Sequence, residues 1–297
     1  MRNLPLPSRD HVRQHLTTAL EVYEWNDVAY GYPATDAEID AVIALYDAYD
    51  LGGGSPDENL KGGDLNAALK SAIQSAYGFT QVSRKLASIR NDLMRGVEHC
   101  PICGISAPRQ LDHYLPKATF QPLAVYTRNL VPTCGECNQS KSATVAAAAG
   151  QQFVHAYFEQ LPQVDFLQAS LTTDGGLVVN FHIDGNVGLP QLLHERLTFQ
   201  LVRLHLNERY AREINTYLTG HTVALHLSFR LGANAGVRDF LIQQAQVEFA
   251  RFHRNHWRPV LLRALAADHG FCNGDFMSIL PTPAADLPMI ETLVVGE

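Results

Sequence analysis

Cys100-Pro-Ile-Cys103 and Cys134-Gly-Glu-Cys137 bracket the stretch that decides the reading of this 297-residue chain, CPICGISAPRQLDHYLPKATFQPLAVYTRNLVPTCGECNQSK, residues 100–141. Two residues between cysteines let both thiolates of a knuckle reach one ion. Two knuckles complete the tetrahedral four-sulfur shell that zinc favours, with no ligand position left open, so the zinc they predict is structural. Buried free thiols or a thioredoxin-like redox pair are the competing readings. Two knuckles together, without a βαβ pattern around them, favour zinc. The 30 residues between them, 104–133, exceed the roughly 15 to 20 of a zinc ribbon, so further chain is inserted there.

Inside that insertion Asp112-His113 follows the first knuckle and Asn129 precedes the second, while Asn138 directly follows Cys137. In DHYLPK, NLVPTC and CNQSK, taken in that order, the chain resembles the HNH endonuclease family in its zinc-stabilised His-Asn-Asn variant. The resemblance covers about 45 residues. It implies a ββα-metal fold, in which a two-stranded hairpin presents the Asp-His pair and a following helix presents the last motif residue. It also implies a metal-dependent endonuclease that hydrolyses DNA phosphodiester bonds by a one-metal mechanism. An uncharged imidazole at His113 suits a general base at neutral pH. Asp112 and the Asn138 side-chain oxygen are hard ligands for catalytic Mg²⁺ or Mn²⁺. Asn129 is expected to brace the loop that orients His113. Lys117, Arg128 and Lys141 are the nearest cations and are expected on backbone phosphates. The alternative is a non-catalytic zinc-knuckle module that binds nucleic acid or protein.

Composition is that of a folded protein, with 46% hydrophobic and 18% charged residues. A net charge of -7 excludes a uniformly basic surface. Between Arg84 and Thr144, however, eight basic side chains face four acidic ones, a basic segment in an acidic envelope. No apolar run reaches the roughly 18 to 20 residues of a membrane span, and the opening residues are too polar for a signal segment. No membrane partner and a cytoplasmic location are expected. Four of the five cysteines sit in tight pairs, which fits a reducing compartment. The layout is similar to nuclease components of bacterial anti-phage or restriction systems. That similarity implies antiviral defence and a protein partner or homo-oligomer formed through the acidic helical flanks.

Outward from the cysteines, the pattern predicts an α+β, mainly helical protein in three parts. Residues 1–95 form a helical region, 96–145 the nuclease module, and 146–297 a mostly helical region with a β-hairpin at 166–183. Ser8 reads as a helix N-cap and DAEIDAVIALYDAYD as a helix with an acidic first turn. Five glycines and a proline between Gly52 and Asp64 read as a linker. Apolar spacing predicts helix from Leu65 to Leu93 with a break near Gly78. The alanine-rich stretch after Lys141 is expected to extend a helix as far as Gly150. Asp174-Gly175 signals the hairpin turn. Residues 192–206, 208–218 and 237–266 read as helices. The histidines from His155 to His256 lack ligand spacing and read as core or surface residues, Trp257 as helix packing, and Cys272 as a small buried hydrophobe.

Overall fold

The computed structural model describes residues 1–143, 148–173 and 175–281. The described chain is mainly helical with three two-stranded sheets. It forms two compact units: residues 1–167 with 182–206, and residues 168–181 with the chain from Asn207 onward. No boundary falls near residue 95 or 145. The 1–95 helices and the cysteine-bracketed segment share one core, which corrects the three-part organisation expected from the sequence.

In the first unit the elements are α1 (Val12–Leu20), β1 (Tyr23–Trp25), β2 (Val28–Tyr30), α2 (Asp36–Leu51), α3 (Ala67–Ala76) and α4 (Ala87–Met94). Helix α1 starts four residues after Ser8, whose hydroxyl instead accepts the Asp10 N–H in a turn. The β1–β2 hairpin went unpredicted. Its turn residues Asn26 and Asp27 both have positive φ, which is the conformation a two-residue hairpin loop requires and which Asn and Asp tolerate. Helix α2 opens on a capping box in which the Thr35 hydroxyl accepts the Glu38 N–H and the Glu38 carboxylate accepts the Thr35 N–H.

The knuckle-to-knuckle insertion explains the common core. Strands β3 (Gln110–His113) and β4 (Leu130–Thr133) pair antiparallel, with His113 opposite Leu130. The chain between them includes two short 3-10 turns, Gln121–Leu123 and Thr127–Asn129, and its Leu115, Phe120, Leu123 and Tyr126 are buried in one cluster with residues of α1 to α4. Tyr46 of α2 stacks on Tyr126 with ring centroids 4.1 Å apart. Helix α5 (Gly135–Lys141) follows β4. It ends at Ser142, whose φ of 57° takes the backbone out of the helical region, so α5 does not continue into the alanine-rich stretch. Residues 144–147 lie outside the described residues. Helix α6 (Gln191–Arg203) belongs to the same unit, and its Arg196 bonds Ala149 O, Gln152 and Glu159.

The second unit contains most of the hairpin β5 (Leu167–Thr172) and β6 (Val178–Ile183), with α7 (Leu206–Thr219), α8 (Thr222–Arg251), α9 (Trp257–Ala267) and α10 (Phe276–Ile279). The hairpin fits the expected range; its Asp174 lies outside the described residues. The Asn207 side chain accepts the Phe181 N–H and donates to the Phe181 carbonyl, tying α7 to β6. Buried Tyr210 and Trp257 pack 5.9 Å apart. Residues 237–266 do not form one helix, because the chain breaks between Arg251 and Trp257 and restarts with Pro259 in the first turn of α9, where proline's missing N–H costs nothing.

Gly52 to Asp64 is no linker either. Gly52 caps α2, Leu60 is buried, and Gly54 has φ +78° with its Cα turned toward His155. A Cβ at Gly54 would lie 2.5 Å from the His155 ring, whereas one at Gly53 would meet nothing within 4 Å. Gly53→Ala is therefore expected to cost only the left-handed backbone penalty of about 1 kcal/mol, and Gly54→Ala about 3 kcal/mol or more. Urea unfolding of the two variants checks this, and equal losses would exclude a tight seat for His155.

Candidate functional site

The four cysteines converge. Cys100, Cys103, Cys134 and Cys137 are buried, and their sulfurs all lie within 4.8 Å of one another. The Cys103 and Cys134 sulfurs are 3.7 Å apart. That separation is too long for a disulfide, and it matches the edge of about 3.8 Å set by four bonds of ~2.3 Å to a tetrahedral centre. Backbone N–H groups of Ile105 and Cys137 point at the Cys103 and Cys134 sulfurs, which stabilises thiolate charge. Hydrogen bonds from Cys100, Cys103 and Cys137 push the Cys134 thiol far below its ordinary pKa. The donor set fits a metal ion such as zinc. It also fixes the start of α5, because Cys134 is that helix's N-cap.

Strand β3 carries Gln110 and Asp112 two residues apart, on the side that meets α5. There Asn138 donates to Gln110 Oε1 at 2.6 Å, and the Lys141 ammonium lies 3.0 Å from Asp112 Oδ2. Lys141 also donates to the His113 carbonyl at 2.7 Å. Burial raises the Asp112 pKa, with Lys141 pulling against it. Asp112 and Asn138 thus face one strand-helix seam, each held by a different neighbour. Gln110 gave no sequence signal beyond its place two residues before Asp112.

His113 Nε2 lies 2.9 Å from the Ala124 carbonyl. A carbonyl only accepts, so Nε2 carries the proton and Nδ1 keeps a lone pair. Burial lowers the imidazole pKa to about 4; Ala124 opposes this, and Lys117 and Lys141 reinforce it. The ring packs 4.4 Å from that of Tyr77, over which the Lys117 ammonium sits at 4.5 Å.

Asn129 is fully buried and uses every hydrogen-bonding position of its amide. Its Oδ1 accepts from Leu115 N at 2.8 Å and the Tyr49 hydroxyl at 3.1 Å. Its Nδ2 donates to the carbonyls of Leu115 and Leu123 at 3.1 and 3.2 Å. Behind Tyr49 stands His155, with Nε2 2.9 Å from the hydroxyl and Nδ1 accepting from Tyr157 N. Burial lowers the His155 pKa to about 3. Sequence reading assigned His155 no role, since its partners are 106 and 2 residues away.

The three cations separate. Lys117 stays half-exposed beside His113. Arg128 is paired with Asp50 at 2.6 Å and donates to the Pro7 carbonyl, and Lys141 is buried against Asp112. Both engage protein groups where the sequence suggested phosphate contacts, because each lies within reach of a carboxylate, half-buried at Asp50 and buried at Asp112. Among the described residues, no helix is long and apolar enough to cross a membrane.

The chain is similar to protein ea31 of Escherichia phage lambda, with 24% identity over 196 residues that cover 61% of this chain. It spans just under two thirds of that relative's length, 66%. No family model and no solved structure matches the chain.

Two measurements test this geometry. Elemental analysis is expected to find about one equivalent of metal bound per chain, lost in Cys103→Ser and in Cys134→Ser, with chelator lowering the unfolding temperature. Retention of metal by both variants would refute a four-thiol site. His155 titrates near 6.5 when unfolded and about 3 when folded. Its depressed pKa means that stability present above pH 6.5 is lost as pH falls toward 3. Between pH 7 and pH 5 the wild type should lose about 2 kcal/mol more than His155→Gln. Parallel urea curves at the two pH values would show the buried imidazole to be protonated when folded.

Proposed function

We propose that this protein is a metal-dependent endonuclease that cleaves DNA phosphodiester bonds with His113 as general base. One observation carries the reading: Ala124 fixes the His113 ring with Nε2 protonated, leaving Nδ1 as an unprotonated acceptor. The antiparallel β3–β4 pair followed by α5, with Asp112-His113 on the strand and Asn138 on the helix, has the order expected of a ββα-metal module.

The donor set suits a hard divalent cation. Asp112 is a buried carboxylate whose charge already draws a cation, Lys141, and Asn138 offers an amide oxygen from the facing helix. Asp112 and Asn138 would hold Mg²⁺ or Mn²⁺. When bound, that ion supplies positive charge for the scissile phosphate and its leaving oxygen. His113 Nδ1 takes the proton of the attacking water, and the developing imidazolium is stabilised by the Ala124 carbonyl at Nε2. Lys117, held over Tyr77, receives a backbone phosphate. Asn129 keeps the His113 loop in shape, and a zinc ion held by the four cysteines would fix the start of α5.

A DNA substrate, a defence role and a protein partner belong to this proposal on the strength of the motif and the layout; the name of the lambda relative states no activity. A binding module without catalysis is the rival reading. It is favoured by the Lys141 ammonium resting on Asp112.

Plasmid DNA incubated with Mg²⁺ or Mn²⁺ should be cut, protected by chelator, and spared by His113→Ala with a loss of at least about 100-fold. Cleavage that survives chelation, or an active His113→Ala, would exclude the mechanism, and an inert wild type would favour the binding module. Lys141→Met removes a cation that competes for Asp112. It should raise Mn²⁺ affinity roughly tenfold, about 1.4 kcal/mol, by calorimetry or electron paramagnetic resonance; weaker binding would show that Lys141 supports the ion instead.

A further inference from the structure

Asn129 is braced from outside the cysteine-bracketed segment, by two side chains far from it in sequence. Tyr49 lies on α2 and His155 follows the alanine-rich stretch, yet both are buried and in line behind the Asn129 amide. The proton positions follow from the partners. Tyr157 N–H donates to His155 Nδ1, so a neutral His155 carries its proton on Nε2 and gives it to the Tyr49 oxygen. The Tyr49 hydroxyl proton is then directed to Asn129 Oδ1, 3.1 Å away. Asn129 closes the row by holding Leu115, two residues after His113, and Leu123, next to the carbonyl that fixes the His113 ring.

We infer that Tyr49 and His155 are positioning residues for His113, acting through Asn129 and the Ala124 carbonyl. The row has one polarity, each group donating to the next, and every member is at most 1% exposed, so no water is needed to complete it. The surroundings hold His155 in this orientation. Its backbone N–H donates to Glu159, which Arg196 of α6 pairs at 2.7 Å. The Tyr114 ring lies 4.0 Å from the His155 ring, and Gly54 leaves room for that ring because any Cβ there would strike it. The glycine turn after α2 is therefore the seat of the row's first member. Removing the Tyr49 hydroxyl leaves Asn129 Oδ1 with one donor, and removing the imidazole leaves that hydroxyl without the donor that orients it; either change frees the loop to shift, which displaces the His113 imidazole without touching DNA or metal.

The kinetic half of this inference rests on the nuclease reading; the placement of the His113 ring does not. The test compares Tyr49→Phe, His155→Leu and His155→Gln with Tyr46→Phe in the full chain. Tyr46 is the control, one turn away on the same helix, with a buried hydroxyl that has no hydrogen-bond partner. Two readouts are taken: two-bond ¹H–¹⁵N correlation spectra of the imidazoles, with His113 assigned from His113→Ala, and plasmid cleavage. Tyr49→Phe and His155→Leu are expected to move the His113 Nε2 and Nδ1 resonances and to lower kcat by 10- to 100-fold with KM for DNA unchanged. His155→Gln, which can still donate, should recover most of the loss, and Tyr46→Phe should match wild type. Unmoved His113 resonances in folded Tyr49→Phe and His155→Leu would overturn the inference, as would an equal effect of Tyr46→Phe. If Tyr49→Phe does not fold, the His155→Leu and His155→Gln pair decides by the same criteria. Resonances that move in a protein that cuts no DNA would uphold the positioning row and reject the nuclease reading. A wild-type nuclease whose His113 signals ignore Tyr49 would do the reverse.

Discussion

The constraint on which the first unit depends is the need to satisfy buried peptide groups between β3 and β4. After His113 the ladder stops, and sixteen residues pass before it resumes at Leu130. Their apolar side chains enter the core, so their backbone polar groups go with them and must find partners away from water. Asn129 meets that need by acting as a substitute strand, accepting from and donating to Leu115 and donating to the Leu123 carbonyl. A buried amide that is fully used can hold only one arrangement, because every alternative orients a donor at a donor. The rigidity of the His113 surroundings follows from that requirement.

Charge is handled in the same way. Two buried or half-buried carboxylates, Asp50 and Asp112, are each matched by a cation, Arg128 and Lys141. Asp50 also accepts the Tyr126 hydroxyl at 2.7 Å. Unpaired, either carboxylate would carry a desolvation cost of several kcal/mol. The Asp50 pair joins α2 to the turn before β4. The Asp112 pair joins β3 to the last turn of α5, whose opposite end is capped by Cys134 of the thiol cluster. A lysine that neutralises Asp112 at rest keeps the seam folded and leaves the carboxylate in place.

The second unit is organised differently, around Phe181, Tyr210 and Trp257 with Asn207 clasping the hairpin strand. Its helical path is interrupted at Ala233, whose φ is 48° within α8, and again between Arg251 and Trp257, ahead of Pro259. The second interruption splits the pattern over 237–266 that apolar periodicity alone runs together, since spacing records which face is buried and not where the axis turns.

Local chemistry made much of this protein legible in its sequence. The CxxC spacing places two sulfurs on each knuckle, the Gly78 region divides α3 from α4, and the order Asp112-His113, Asn129, Asn138 lays out a strand, a brace and a helix. Those features depend on residues a few positions apart, where chain geometry does the work. What only the tertiary structure decided is which groups meet across long stretches of chain: Lys141 on Asp112 rather than at a free surface, Gly54 under His155 rather than in a linker, and His155 with Tyr49 behind Asn129. In each case the pairing follows from burial, which forces a polar group to take whichever partner the packed core brings within 3 Å. The amino-acid order contains both partners but no sign of their meeting until the apolar side chains around them have closed.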